Sequence, residues 1–168
     1  MSPRFIRFFA LSGVTILLDQ VTKVLARGAL EFGVPKSVIP GYWDWRLSYN
    51  YGSAFGLFSG MGAARIFLTI VGVVAVVAII GVLRKAKDDQ KWLTAALALV
   101  AGGAIGNVVD RLIAGKVTDF VVWKAGKHEW PAFNIADVAL VIGVAILLLD
   151  VGKDQKRAQE AAKAAGGK

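Results

Sequence analysis

Cysteine is absent from the 168 residues, so the chain can form no disulfide, no thiolate metal site and no cysteine nucleophile. Histidine occurs once, at His128, which argues against a multi-histidine metal centre. Acidic residues are scarce, 12 against 20 Lys and Arg, and the net charge is +8 at pH 7. The chain is also short. At roughly 100–200 residues per domain it makes one domain, with no room for a catalytic module beside a membrane anchor. Any function must therefore sit in the hydrophobic part itself. That part is large: hydrophobic residues make up 56% and mean hydropathy is +0.58. Soluble domains average roughly 45–50% apolar residues, so an ordinary soluble enzyme is excluded.

Four segments have the length and composition to cross a bilayer, which takes about 20 mostly apolar residues. They cover 8–27, 66–83, 92–112 and 134–151, followed by a charged, Ala-rich tail at 152–168 that reads as a helix without assigned chemistry. The second has no charge at all, and the third is rich in Ala and Gly, as expected of a helix packed closely against others. Asp19, Gln20 and Lys23 interrupt the first, so it does not read as a cleaved signal peptide. Three short segments (the start, the link near 84–91 and the tail) carry eleven basic residues, whereas the two longer connections carry six. Short cytoplasmic loops are enriched in Lys and Arg, so both termini are expected in the cytoplasm. The positive charge is thus a topology signal, and no nucleic-acid partner is expected.

The two outer connections carry strand patterns. In WDWRLSYNY (43–51), Trp43, Trp45, Leu47, Tyr49 and Tyr51 alternate with polar residues, the period of a half-buried strand. In VTDFVVWKAGKHEWP (117–131), two β-prone runs flank Ala125-Gly126, which suggests a hairpin. Trp43, Trp45, Trp123 and Trp130 suit the headgroup layer.

Ionisable residues inside spans are expensive and face the bundle interior or a cavity. The third span ends with Asn107, Asp110 and Arg111, and the fourth begins with Asn134 and Asp137, so N-x-x-D occurs twice. Residues three apart share a helical face, which sets each Asn beside its Asp. At about 1.5 Å per residue both carboxylates come out near the outer surface, just inside the hydrocarbon. Two carboxylates in a low-dielectric site tend to share one proton, leaving one basic and one acidic. That suits attack of water on an amide. The structural alternative is that Asp137 caps the fourth helix while Asp110 pairs with Arg111. Asp19 and Lys23 are four apart in the favourable order for an ion pair. Asp150 reads as interfacial, and Asp119 as a solvated or turn residue of the outer connection.

DQVTK (19–23), NYGSAFG (50–56), GGAIGNVVDR (102–111), VTDF (117–120) and FNIAD (133–137), in this order across four spans, closely resemble bacterial lipoprotein signal peptidase, or signal peptidase II. The resemblance implies an all-α membrane protein, a four-transmembrane-helix bundle with a small extracytoplasmic β-rich cradle and an interfacial helix. It implies an aspartic endopeptidase of the bacterial cytoplasmic (inner) membrane that removes the signal peptide from diacylglyceryl-modified prolipoproteins just before the lipidated cysteine. By motif, Asp110 and Asp137 match the catalytic pair, and Asp19, Lys23, Asn50, Asn107, Arg111 and Asn134 match residues that support the site or bind substrate. Arg111 is expected to help position the lipidated substrate. No metal or organic cofactor is implied; membrane lipid and prolipoproteins are the expected partners of a monomer. Three other readings compete. A serine protease is disfavoured because GLFSG (56–60) sets its serine one place off G-x-S-G and no histidine lies in a span. A proton- or cation-relaying transporter would place Asp19, Asp110 and Asp137 near the midplane. A purely structural subunit would tolerate Asp110→Asn.

Overall fold

The computed structural model describes residues 1–52 and 61–166. GLFSG, and NYGSAFG beyond Gly52, lie outside the described residues. Among the described residues four helices, α1 (Pro3–Ala29), α2 (Met61–Lys85), α3 (Lys91–Ile113) and α4 (Ile135–Gly166), alternate in direction, and four short strands form one sheet at the end where α1 and α3 finish and α4 begins. The helices follow the four apolar runs, and the charged tail continues α4 to Gly166. Among the described residues α1, α2 and α3 are long and apolar enough to cross a membrane. Large apolar side chains point away from the protein along α1 (Leu17, Leu25), α2 (Val74, Val77) and α4 (Val141, Leu148).

α3 is the central helix, packed against the other three. Its small residues explain why. A methyl group at Gly102 would stand 2.8 Å from Thr15 Cβ of α1, and one at Gly103 would collide with the Ala136 carbonyl oxygen of α4. Bare backbone at these positions lets both neighbours approach, the packing that small residues permit between apolar helices. Phe8, Ile79, Leu83, Leu97, Ala98 and Ala101 fill the core away from the sheet. Ala26, Phe120 and Val121 form a second cluster beneath the sheet, with Trp43, Trp45 and Phe133 against it.

The strands β1 (Lys36–Ile39), β2 (Trp43–Asn50), β3 (Val117–Ala125) and β4 (His128–Glu129) lie in chain order, all antiparallel. β3 and β4 form the expected hairpin. Ala125 pairs with His128, so the loop is Gly126-Lys127, with Gly126 in the left-handed region at φ 62°. The regular alternation expected of 43–51 is corrected by a bulge. Trp45 pairs with Val121 and Ser48 with Asp119, so Arg46 and Leu47 together oppose the single Phe120. A shift of one residue turns later side chains to the other face. Ser48 and Asn50 therefore stand on the same side as Asp119, and Tyr49, opposite Thr118, does not. Ion pairs of Asp44 with Lys124 and of Arg46 with Glu129 tie the sheet across its strands.

Candidate active site

α4 starts with the second N-x-x-D. The Asn134 backbone N–H donates to Asp137 Oδ2 at 3.1 Å, and the Asp137 N–H donates to Asn134 Oδ1 at 3.0 Å, a reciprocal cap of the helix end. A third free donor, the Ala136 N–H, reaches Asp19 Oδ1 of α1 at 2.9 Å. The capping alternative for Asp137 is thus realised, and it leaves the carboxylate half-buried, with Oδ1 accepting from Asn107 Nδ2 at 2.8 Å.

Lys23 is the centre of the charge network. Fully buried, it lies 2.9 Å from Asp19 Oδ2 and 3.3 Å from Asp110 Oδ2, and donates to Asn107 Oδ1 at 3.0 Å. The expected Asp19–Lys23 pair is present, but it is half of a triad. Asp110 also accepts from the Thr118 N–H (2.9 Å) and from Gln20 Nε2 (3.3 Å). Two expectations are corrected here. Asp110 is held by Lys23 from α1, while Arg111 turns back to the Asn107 carbonyl of its own helix at 3.4 Å. Asn107 spans the gap to Asp137 and Asn134 of α4. The long lysine stem reaches across the α1–α3 contact that the glycines bring close, whereas neighbours at i, i+1 do not face each other on a helix. A methyl at Gly106 would lie 2.5 Å from Asp19 Oδ2. Gly106→Ala is therefore expected to displace that carboxylate from Lys23 and Ala136 and to cost about 1–3 kcal/mol, the range for overpacking, read as a lower unfolding temperature.

Asp119 does not fit its sequence reading. Instead of a solvated or turn position it sits in mid-strand, 3% exposed, with Oδ1 accepting from Asn134 Nδ2 at 2.7 Å. Six consecutive residues of β3 from Val117 are buried, with β2 and Phe133 paired along its edges and α1 and α3 packed against it. Burial pushes the Asp119 carboxyl up from 3.8 to about 7, and the negative charge of Asp137 adds to the rise; hydrogen bonds from Asn134 and Asn50, and the charge of Lys23, oppose it. Asn50 reaches this carboxyl because of the bulge in β2. The signal that could have revealed Asp119 was an aspartate inside VTDFVV, a β-prone run apolar enough to be covered on both sides.

The rise has a sign for stability. Between pH 3.8 and about 7 the folded protein holds a proton at Asp119 that the unfolded chain has released. Its contribution is therefore fully present below 3.8 and lost as pH climbs to about 7. Asp119→Asn removes a buried charge while keeping an acceptor for Asn134. At pH 8 the variant should unfold several degrees above the parent, with the difference vanishing toward pH 4; thermal unfolding at the two pH values measures it.

Asp19, Lys23, Asn107, Asp110, Asn134 and Asp137 thus form one connected network, and Asn50 joins it through Asp119. Asp110 and Asp137 are linked through Lys23 and Asn107, whereas Asp119 and Asp137 are linked by Asn134 alone. Arg111 is within electrostatic reach of Asp137, Asp119 and Asp110.

Residues 11–153 match the sequence model of a family described as Signal peptidase (SPase) II. A lipoprotein signal peptidase of Geobacter metallireducens is 40% identical over 159 residues, 94% of this chain and 97% of that protein. One of Polynucleobacter necessarius is 42% identical over 148 residues, 88% of this chain and 90% of its own. Two solved structures, each described as a bacterial membrane enzyme, superpose with a TM-score of 0.79 at 29% and 30% identity, covering 89% and 88% of this chain and 90% and 93% of theirs.

Proposed function

The chain belongs to the signal peptidase II family, and from that premise we propose that it is an aspartic endopeptidase acting on prolipoproteins, with Asp119 and Asp137 as the catalytic pair. It releases the signal peptide just before a cysteine that carries diacylglyceryl. All four helices cross the bacterial cytoplasmic membrane, both termini face the cytoplasm, and the sheet lies at the outer surface. A substrate with an apolar signal helix and a lipid tail reaches the carboxylates sideways from the bilayer, at a depth where water is available.

The observation that carries this reading is Asn134, whose side-chain amide holds Asp119 at 2.7 Å and whose backbone N–H holds Asp137 at 3.1 Å. One residue thus holds two carboxyls of unequal environment. Asp110, which the sequence pattern pairs with Asp137, is the weaker partner: Lys23, Thr118 and Gln20 all engage it. An acid that neutralises a buried lysine is a poor proton carrier. Asp119, raised to about 7, keeps its proton up to about neutral pH, where an ordinary carboxyl has long lost it.

Asp137 takes a proton from water as its oxygen attacks the scissile carbonyl carbon, and Asp119 donates to the carbonyl oxygen. The C–N bond then breaks as the proton on Asp137 passes to the departing nitrogen, which becomes the amino group of the lipidated cysteine. Asp119 recovers its proton from a hydroxyl of the tetrahedral intermediate, and the signal peptide leaves as a carboxylic acid whose proton passes through water to the new amino group. Asn107 and Asn134 fix Asp137 throughout; Asp110, Lys23 and Asp19 fix the elements that carry the pair.

The test is incubation of the purified protein in lipid with one prolipoprotein, bearing or lacking diacylglyceryl, and mass determination of the products. A single cut before the cysteine, only in the lipidated form, is expected. Absence of cleavage in every lipid condition would remove the peptidase reading.

A further inference from the structure

Asp137 lines a cavity of about 410 Å³ between the β3–β4 hairpin and α4. Trp123, Trp130 and Phe133 form one side, and Val138, Val141 and Ile142 the other. Among the described residues the carboxylate is the only ionisable group in the lining, and the aliphatic side continues along α4 as the exposed Val144 and Leu148. Val141 is 70% exposed, so the space opens sideways along the helix, where the proposed topology puts acyl chains. A second apolar cavity, about 320 Å³, lies against α1 and is lined by Leu25, Ala26, Leu30, Trp45 and Phe120, with no member of the catalytic pair.

We infer that the cavity at Asp137 seats the acyl chains of the lipidated cysteine, and that Val138, Val141 and Ile142 set the preferred chain length. The inference rests on the peptidase reading. The lipid is attached to the residue immediately beyond the scissile bond, so it must leave the catalytic pair within the reach of one side chain. The apolar channel that contains a catalytic oxygen meets that requirement, and the α1 cavity does not. The chains come from hydrocarbon rather than from water, so each methylene gains only by better packing, a small amount that accumulates over the eight methylenes separating palmitoyl from octanoyl and makes chain length a probe of the fit.

Two measurements test it. Substrates of identical sequence carrying palmitoyl or octanoyl chains are cleaved by the parent and by Val141→Trp, which fills the channel. The parent should prefer palmitoyl by about tenfold in kcat/KM, and the variant should bring that ratio close to one. An unchanged ratio in the variant, or a ratio near one in the parent, overturns the inference. Separately, a substrate with a diazirine in the acyl chain is irradiated on the uncleaving Asp119→Asn protein. Adducts within residues 138–142 support the seat, whereas adducts within residues 22–30 or on α2 overturn it. Adducts at 138–142 in a protein whose parent form cuts nothing would keep the lipid seat and remove the peptidase reading, so the two failures are distinguishable.

Discussion

Asp119→Asn and Asp137→Asn are each expected to lower cleavage of a lipidated prolipoprotein about a thousandfold or more, in protein that remains folded. Either change leaves the site shape nearly intact and removes one proton-transfer step. Asp110→Asn separates the two pairings. Its amide oxygen still accepts the Thr118 N–H, but Lys23 loses one of its two carboxylates. The expected result is a lower unfolding temperature with a loss of activity of about tenfold, small beside that of the pair. Full activity of Asp119→Asn together with an inert but normally stable Asp110→Asn would return Asp110 to the catalytic role. The rate profile adds a check. A site needing one protonated and one ionised carboxyl gives a bell, and a flat profile from acid to alkaline pH in folded protein would count against any such pair.

Lys23→Met should be the most destabilising of the substitutions considered. The ammonium is fully buried and neutralises Asp19 and Asp110 at 2.9 and 3.3 Å. A neutral side chain of similar length leaves two carboxylates inside the bundle without a counter-charge, and breaking a buried pair in this way costs about 3–5 kcal/mol. Chemical or thermal unfolding reads that loss. Pairing the change with Asp110→Asn removes one of the stranded charges, so the double variant should be more stable than Lys23→Met alone. Unfolding of Lys23→Met at the parent's midpoint would mean that the triad contributes little. Activity carries a second signature. Lys23 helps to hold the Asp119 carboxyl down, so its removal should move the alkaline limb of the profile to higher pH in whatever activity survives.

Much of this was legible from local pattern. Four apolar runs gave the helices, the four-residue spacing of Asp19 and Lys23 gave an ion pair, and N-x-x-D at a helix start gave the cap. What escaped was set by contacts distant in the chain. β1 is a four-residue, fully exposed edge strand that exists because β2 pairs with it. The second carboxylate of the Lys23 network is reached across 87 residues, which no periodicity encodes. Asp119 was misread for the same reason. A strand residue is solvated or buried according to what covers its sheet, and the ends of α1 and α3 that help cover β3 belong to other parts of the sequence. The N-x-x-D spacing sets Asn107 beside Asp110, and its amide reaches Asp137 instead, since helical spacing says which side chains share a face and not which of them reaches a neighbour.

The bulge between Trp45 and Ser48 acts as a change of phase inside one strand. Before it, odd-numbered positions carry the tryptophans; after it, the even-numbered Ser48 and Asn50 stand on that same face, beside Asp119. One face of the strand thereby changes from aromatic to polar along its length, where a uniform pleat would have put Leu47 and Tyr49. The length of β2 beyond the bulge is not adjustable one residue at a time. Deleting Arg46 or Leu47 would remove the bulge and leave every other pair in place, whereas deleting Tyr49 would keep the aromatic half in step and turn Asn50 away from Asp119, so beyond Ser48 a deletion is a change of chemistry rather than of size.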